Sequence, residues 1–416
     1  MFGLLRKKGI LFLGLSNTIS QLGDRLTHMV IITFIGVMFP GKISAFSEFS
    51  VTFSLPLVIL SPFAGVFVDH WNKQTIMFRC HLIQAVLIFI TPFLIALTHS
   101  MVPIWILVVV FFSLDLFNNT SKNSVIPDLV EYDELVPANS IILTMSRAAT
   151  FVGMVGGGYL INWVGWQVGF YVDATTHLVA GTLVLFMGAK ALFEPVRKVE
   201  FSLVKELKKS LNTFIIDLKE LGLVLVRDRM VILVMISVVV LPFVSAVGYT
   251  LLIYLVQQEF GLGTAGVGLM GGIIGVGMLC GAVLLGYFGR YVSRGLILIF
   301  SIAVLACLFI IGPFFVSAAF LYTISFFIGI VYSFFGISQD TILQEDVARD
   351  IRGRIFATKE FIVNLTFLVW AVLVGVISGW LTPFVIFRFV GITLCAILIF
   401  TIYIYRSIPY EIRSKL

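Results

Sequence analysis

Apolar runs long enough to cross a bilayer recur from one end of this 416-residue chain to the other. They lie near 10–39, 45–68, 75–98, 103–124, 138–162 and 168–190, then near 230–256, 264–288, 295–316, 318–338, 354–379 and 383–405. A helix needs about 20 residues to cross the ~30 Å hydrocarbon core. No water is present there to satisfy backbone N–H and C=O groups, so each run must be a helix. The predicted fold class is therefore an all-α membrane protein with twelve transmembrane helices. Composition agrees: 59% of residues are hydrophobic, 12% are charged and 40 are Phe. A soluble fold of this size needs more charge to cover its surface. The basic flank Arg6, Lys7 and Lys8 resembles the start of a leader, but the run behind it carries Asp24 and Arg25 and lacks a small-residue cleavage site. It reads as a retained first span.

The basic residues test the count independently. With an even number of spans both termini share one side. That side, with the adjoining span ends, takes 24 of the 28 Lys and Arg residues, and the opposite loops take one, Lys42. The other three, Arg25, Arg147 and Arg388, fall inside spans. The positive-inside rule places both termini in the cytoplasm of a plasma (inner) membrane protein. The net charge of +6 thus reflects topology and needs no nucleic acid partner.

The spans divide as six and six, giving an N-terminal bundle over 1–190, a linker over 191–229 and a C-terminal bundle over 230–416. In the linker Val204, Leu207, Leu211, Phe214, Leu218 and Leu221 recur at helical spacing beside Lys205, Lys208, Lys209 and Lys219. That pattern predicts an amphipathic helix on the cytoplasmic membrane face. The halves also echo each other. Gly65, Asp69 and Lys73 after span 2 match Gly286, Arg290 and Arg294 after span 8 in spacing. A shift of 217 residues aligns Asp128 with Glu345 and Trp163 with Trp380. Duplicated halves are a common plan of secondary transporters.

Gly65, Asp69, Asn72, Lys73 and Arg79 resemble the loop 2–3 signature of the major facilitator superfamily, with Asn72 where a Gly is usual. Gly153, Met154, Gly156, Gly157 and Gly158 in span 5 are similar to the Gly-Pro-x-x-Gly-Gly element of that family's exporters, with Met154 replacing Pro. Pro127-Asp128-Leu129, Pro137-Ala138-Asn139, Gly165-Trp166 leading to Asp173, and Arg352-Gly353-Arg354 are similar to the branch holding macrolide-efflux, siderophore-export and lysophospholipid-transporter proteins. The resemblance implies two pseudo-symmetric six-helix bundles, with spans 1, 4, 7 and 10 lining a central cavity. It implies a conformational gate at Gly65, Asp69, Lys73 and Arg79, and close helix packing at Gly153, Gly157 and Gly158.

Ionisable groups at membrane depth are functional candidates because each costs a few kcal/mol or more to bury. Span 1 carries Asn17, Gln21, Asp24 and His28 on one helix face. Asp24 and His28, one turn apart, can change protonation near neutral pH; a purely structural polar stripe is the alternative. Span 4 adds Asp115, Asn118, Asn119 and, near its cytoplasmic end, Lys122. Arg147 in span 5 is the expected partner of Asp24 or Asp115. Asp173 and Arg388 read as interfacial or structural residues near outer span ends. Spans 7 to 10 have no charge at mid-depth, and span 10 carries an aromatic stripe that includes Phe320, Phe327, Tyr332 and Phe335. A cavity charged on one wall and aromatic on the other suits an amphipathic substrate.

Cys80, Cys280, Cys307 and Cys395 lie far apart in apolar runs, without metal-ligand spacing, so neither a metal nor a disulfide framework is expected. No P-loop, zinc-protease or nucleophile-elbow motif is present, so no enzyme activity and no cofactor are expected. The sequence reading is a monomeric secondary active transporter working by alternating access, with proton-coupled export of a small amphipathic compound. A lysophospholipid flippase and a non-transporting sensor or scaffold are the alternatives. Topology can be checked directly. Cysteines introduced within 191–229 should react with an impermeant reagent only from the cytoplasm, and one at Lys42 only from outside. Labelling of both from one face would overturn the span count.

Overall fold

The computed structural model describes residues 2–131, 134–188, 229–288, 291–315, 317–346 and 349–408, with residues 208, 212, 215 and 216 between them. The amphipathic helix expected over 204–221 lies largely outside the described residues. Among the described residues the chain is helical, with no strand. The long helices are α1 (Lys8–Met38), α2 (Ile43–His70), α3 (Lys73–Thr98), α4 (Val102–Leu129), α5 (Leu135–Val164) and α6 (Trp166–Leu185). They continue as α7 (Arg229–Tyr254), α8 (Gly263–Phe288), α9 (Arg294–Ile311), α10 (Ala318–Asp346), α11 (Arg349–Ile377) and α12 (Pro383–Arg406).

Each expected apolar run has become one of these helices, and the differences at their ends have local causes. The run over 295–316 yields only the 18 residues of α9, because Pro313, which has no N–H to donate, sits in a short 3₁₀ turn over Gly312–Phe314. Gly165, at φ 83°, separates α5 from α6. The end of α7 widens into a π-turn over Leu255–Glu259. Eleven of the helices are long and apolar enough to cross a membrane. The exception is α1, which at 31 residues has the length. Its polar residues Asn17, Gln21, Asp24, Arg25 and His28 lower its apolarity.

The chain forms two compact units. Unit 1 comprises Met1–Pro40, Thr52–Leu211 and Gly263–Leu269. Within it α1 packs chiefly on α5 and α6, and α3 packs on α4 and α6. Lys7 forms a salt bridge with Glu134 just before α5. The hydrogen bond from Lys7 holds the Glu134 carboxyl below its usual range, so this surface tie is present at neutral pH and is lost on strong acidification. Unit 2 comprises Gly41–Val51, Asn212–Leu262 and Met270–Leu416. There α7 packs on α11 and α12, and α9 packs on α10 and α12.

Close helix approach in unit 2 depends on paired glycines of α8 and α10. A Cβ on Gly277 would lie 2.1 Å from the Phe326 carbonyl oxygen, and one on Gly329 would lie 2.1 Å from that of Ile274. Small residues let helix backbones meet where lipid supplies no hydrophobic driving force between helices. Ser333 reinforces the contact by donating a hydrogen bond to the Met278 carbonyl at 2.6 Å. Gly277→Val must force the two helices apart. It should destabilise unit 2 by about 1–3 kcal/mol, read as a lowered thermal transition of the purified protein, whereas the same change at Gly286, whose Cβ would meet nothing within 4 Å, should be near neutral.

Candidate functional site

The polar face of α1 is turned into unit 1. Helical spacing puts Asn17, Gln21 and Asp24 on one stripe, and each finds a protein partner. Asn17 is buried and accepts a hydrogen bond from Lys122 Nζ at 2.9 Å. The same ammonium donates to Asn119 at 2.7 Å, so the two stripes expected from the sequence meet at this lysine. Lys122 does not snorkel outward as a span-end lysine would. Asn118 is buried beside it. Gln21 donates to Asp24 Oδ2 at 2.9 Å and accepts from Thr150 of α5 at 3.4 Å. Asp115 interacts electrostatically with Asp24, Lys122, Arg25 and His177.

Asp24 pairs with a residue the sequence reading did not single out. Its Oδ1 lies 3.1 Å from Nε2 of His177 on α6. Asp24 forms no hydrogen bond to His28, and the expected pairing with Arg147 does not occur. Arg147 is exposed on α5 and makes no ion pair with Asp24 or Asp115. A buried carboxylate takes the donor packed against its own helix, and α6, which packs closely on α1, carries that donor.

The structure also decides between the two readings of Asp173, interfacial or structural. It is fully buried, 0% exposed, and its Oδ1 lies 3.6 Å from His177 Nε2 while accepting from Thr176 Oγ1 at 3.0 Å. The close approach requires Gly23, where a Cβ would stand 2.0 Å from Asp173 Oδ1. On its far side His177 Nδ1 lies 3.1 Å from Nδ1 of His81 on α3, and the Phe111 ring packs edge-on against it. Asp24, Asp173, His177 and His81 thus form one buried cluster drawn from three helices. The signal in the sequence was Asp173 and His177 at i and i+4 in an apolar run, the same pattern as Asp24 and His28. The first three of these residues bring ligand-type atoms within 4.8 Å of one another and by type could hold a metal ion. The direct hydrogen bond from His177 to Asp24 already accounts for their convergence.

The loop between α2 and α3 is organised by two residues of the signature. Asn72 caps α3 by accepting from the Thr75 N–H at 2.9 Å, which explains a side chain at a position where Gly is usual. Lys73 Nζ donates to Asp128 Oδ2 at 2.8 Å and to the Ser124 carbonyl at 2.9 Å, tying the start of α3 to the end of α4. Arg79 is exposed. Gly65 and Asp69 lie in the last turns of α2. In α5, Gly153 and Gly157 face α1. A Cβ on Gly153 would lie 3.0 Å from the Leu22 carbonyl oxygen, and Gly158 meets Thr264 and Gly268 at the start of α8. In unit 2 the aromatic stripe of α10 is split: Phe335 is fully buried, Phe327 and Tyr332 are exposed, and Phe320 lines an apolar cleft with Leu252, Phe309 and Phe387. Lys359, also buried, pairs with Asp340.

The apolar helices, together with an ionisable cluster buried within unit 1, point to a multi-pass membrane protein. The sequence profile of the Major Facilitator Superfamily matches residues 13–358, and the chain belongs to that family. It is a family of transporters and not of enzymes. The MFS-type transporter YfiS of Bacillus subtilis (strain 168) is 23% identical, covering 95% of this chain and 93% of the relative. Macrolide efflux protein A of Enterococcus faecalis is also 23% identical, covering 75% of this chain and 94% of the relative. The crystal structure of nucleoside transporter NupG superposes with a TM-score of 0.69 at 12% identity, covering 96% of this chain and all of that one, a likeness of fold alone.

The cap at Asn72 can be tested against the residue usual in the family. Asn72→Ala should cost about 1 kcal/mol of local stability and Asn72→Gly only a few tenths. Hydrogen exchange in the first turn of α3 should therefore accelerate several-fold in the first variant and little in the second.

Proposed function

We propose that this chain is a secondary active transporter that exports a small amphipathic compound by alternating access, in exchange for protons. The observation that carries the reading is Asp24, whose side chain is only 9% exposed within a membrane helix and bonded to Gln21 and His177 rather than to any Lys or Arg. A carboxylate in low dielectric with no Lys or Arg bonded to it has two favourable states, protonated or paired with a protonated imidazole. Both hold a proton that can be exchanged. Gln21 and Asn17 on the same helix face supply neutral hydrogen-bonding groups beside it. The efflux function of a relative as similar as macrolide efflux protein A supports export, and its name supports an amphipathic, macrolide-like cargo.

In this reading the chain crosses the inner membrane twelve times, with α1 included. Residues 1–190 and 230–416 act as two six-helix bundles joined by the 191–229 linker, and both termini are cytoplasmic. The charge paired inside unit 1 offsets the polarity that sets α1 apart from the other spans. The loop of Gly65, Asp69, Lys73 and Arg79 serves as the gate. The Lys73–Asp128 pair holds the loop in one conformation, and its loss in the other would let the bundles rock. The unit works as a monomer, needs no cofactor, and meets only substrate, protons and lipid.

The test is transport in proteoliposomes with an imposed pH gradient and a macrolide as the probe. Asp24→Asn fixes the side chain in a form that resembles the protonated acid. It should abolish accumulation against a gradient and its pH dependence while retaining substrate exchange down a gradient. Accumulation equal to that of the parent would make Asp24 structural.

A further inference from the structure

The contact between His81 and His177 is unusual because the two rings meet through the same nitrogen, Nδ1 to Nδ1, at 3.1 Å. One hydrogen must lie between them, since two bare lone pairs or two N–H groups would repel. The neutral imidazole carries one N–H and one acceptor nitrogen, and the imidazolium carries two N–H groups. These rules leave a small set of states for the cluster.

When His177 is an imidazolium, its Nε2–H donates to Asp24 and its Nδ1–H donates to His81, which must then hold its own hydrogen on Nε2. When the cluster has one proton fewer, a bare His177 Nε2 would face the oxygens of Asp24 at 3.1 Å and Asp173 at 3.6 Å. That arrangement sets acceptors against acceptors. The favourable alternative keeps Nε2–H on Asp24, moves the shared hydrogen from His177 Nδ1 to His81 Nδ1, and releases the hydrogen of His81 Nε2. The proton count falls by one, and every hydrogen bond in the chain survives.

We propose that His177 and His81 form a two-imidazole proton relay, in which a proton taken up through Asp24 on α1 is matched by a different proton released from His81 Nε2 on α3. The inference rests on the proton-coupled reading of Asp24 and names the groups that move the proton. On uptake the acid proton of Asp24 passes to His177 Nε2. The Nδ1 hydrogen of His177 passes to His81 Nδ1, and the Nε2 proton of His81, which is buried here, leaves to water in the conformation that opens this ring to solvent, with Asp24 left ionised against His177 Nε2–H. Asp173 is the second acid at the same nitrogen. Thr176 donates to its Oδ1, and Thr27 of α1 also hydrogen-bonds its carboxyl.

The packed helices limit what else can act here. Beyond Asp24, α1 brings Arg25 and His28. Beyond His81, α3 brings Cys80, which is buried beside Asp115. Asp115 and Lys122 come from α4, and the Arg147 of α5 is exposed. None of these hydrogen-bonds either ring; Lys122 acts on His81, and Asp115 on His177, through charge alone. The rings are held in register by the edge of Phe111 against His177 and by Gly181, where a Cβ would lie 3.2 Å from that of His81.

The relay makes a claim about tautomers that needs no substrate. Nitrogen-15 NMR of the full chain, labelled on its five histidines, should follow His81 and His177 between about pH 5 and 9. His81 should change from the Nε2–H to the Nδ1–H tautomer over the same step in which His177 loses one proton. In His177→Gln, His81 should keep one tautomer throughout, with the His28 and His99 signals unchanged as a check on the fold. If that variant does not fold, the parent titration decides alone. A His81 that keeps a single tautomer in the parent overturns the relay, as does a His81 switch that persists unchanged in a folded His177→Gln. The transport assay separates the two claims. His81→Gln, which can hydrogen-bond but cannot pass a proton, should lose at least about tenfold of gradient-driven accumulation while retaining exchange. Full accumulation in His81→Gln together with its loss in Asp24→Asn would remove the relay from coupling and leave the Asp24 reading standing. Full accumulation in Asp24→Asn with the His81 switch intact would remove the coupling reading and leave the relay.

Discussion

Everything in this molecule answers to the absence of water in the hydrocarbon core. A polar group there has no solvent to fall back on, so it must find its partner within the protein or pay several kcal/mol. The backbone meets this demand by being helical across every described span. The side chains meet it by meeting each other: Asn17 with Lys122, Gln21 with Asp24, and Asp24 with His177.

That demand explains why α1 can be too polar to pass as a membrane span by itself and still pack at the heart of unit 1. Its polar face never needs to see lipid. The helices that cover it carry complementary groups at matching heights, and the glycines at 23, 153 and 157 let those helices come close enough for the groups to bond. Removing methyl-sized volume at these positions is what converts a set of isolated polar residues into a connected cluster. Such a network rigidifies when fully satisfied, and a proton added or removed at one member is felt by the others.

The helices and the importance of span 1 were legible in the sequence because both are local properties: run length, and side chains at a spacing of three to four. Asn72 illustrates the boundary. The sequence showed only that it stands where a Gly is usual, and the backbone made it a helix cap. The partner of Asp24 was not legible. His28 was nearest along the chain and Arg147 was the available cation, yet neither bonds it. His177 lies 153 residues away, and nothing in run length or spacing says which two helices face each other.

The burial of Asp173 was not legible for the same reason: depth along a helix can be estimated by counting residues, but burial depends on which neighbour covers that face. The sequence by itself determined that the chain is an all-helical membrane protein, where its spans lie, with ends displaced by up to eight residues, and which helix carries the richest polar stripe, because hydrophobic run length and helical periodicity act along the chain. Only the tertiary structure decided which acid meets which imidazole and through which nitrogen, because hydrogen bonds of about 3 Å between helices depend on how the helices pack, and packing is fixed by contacts between residues far apart in the chain.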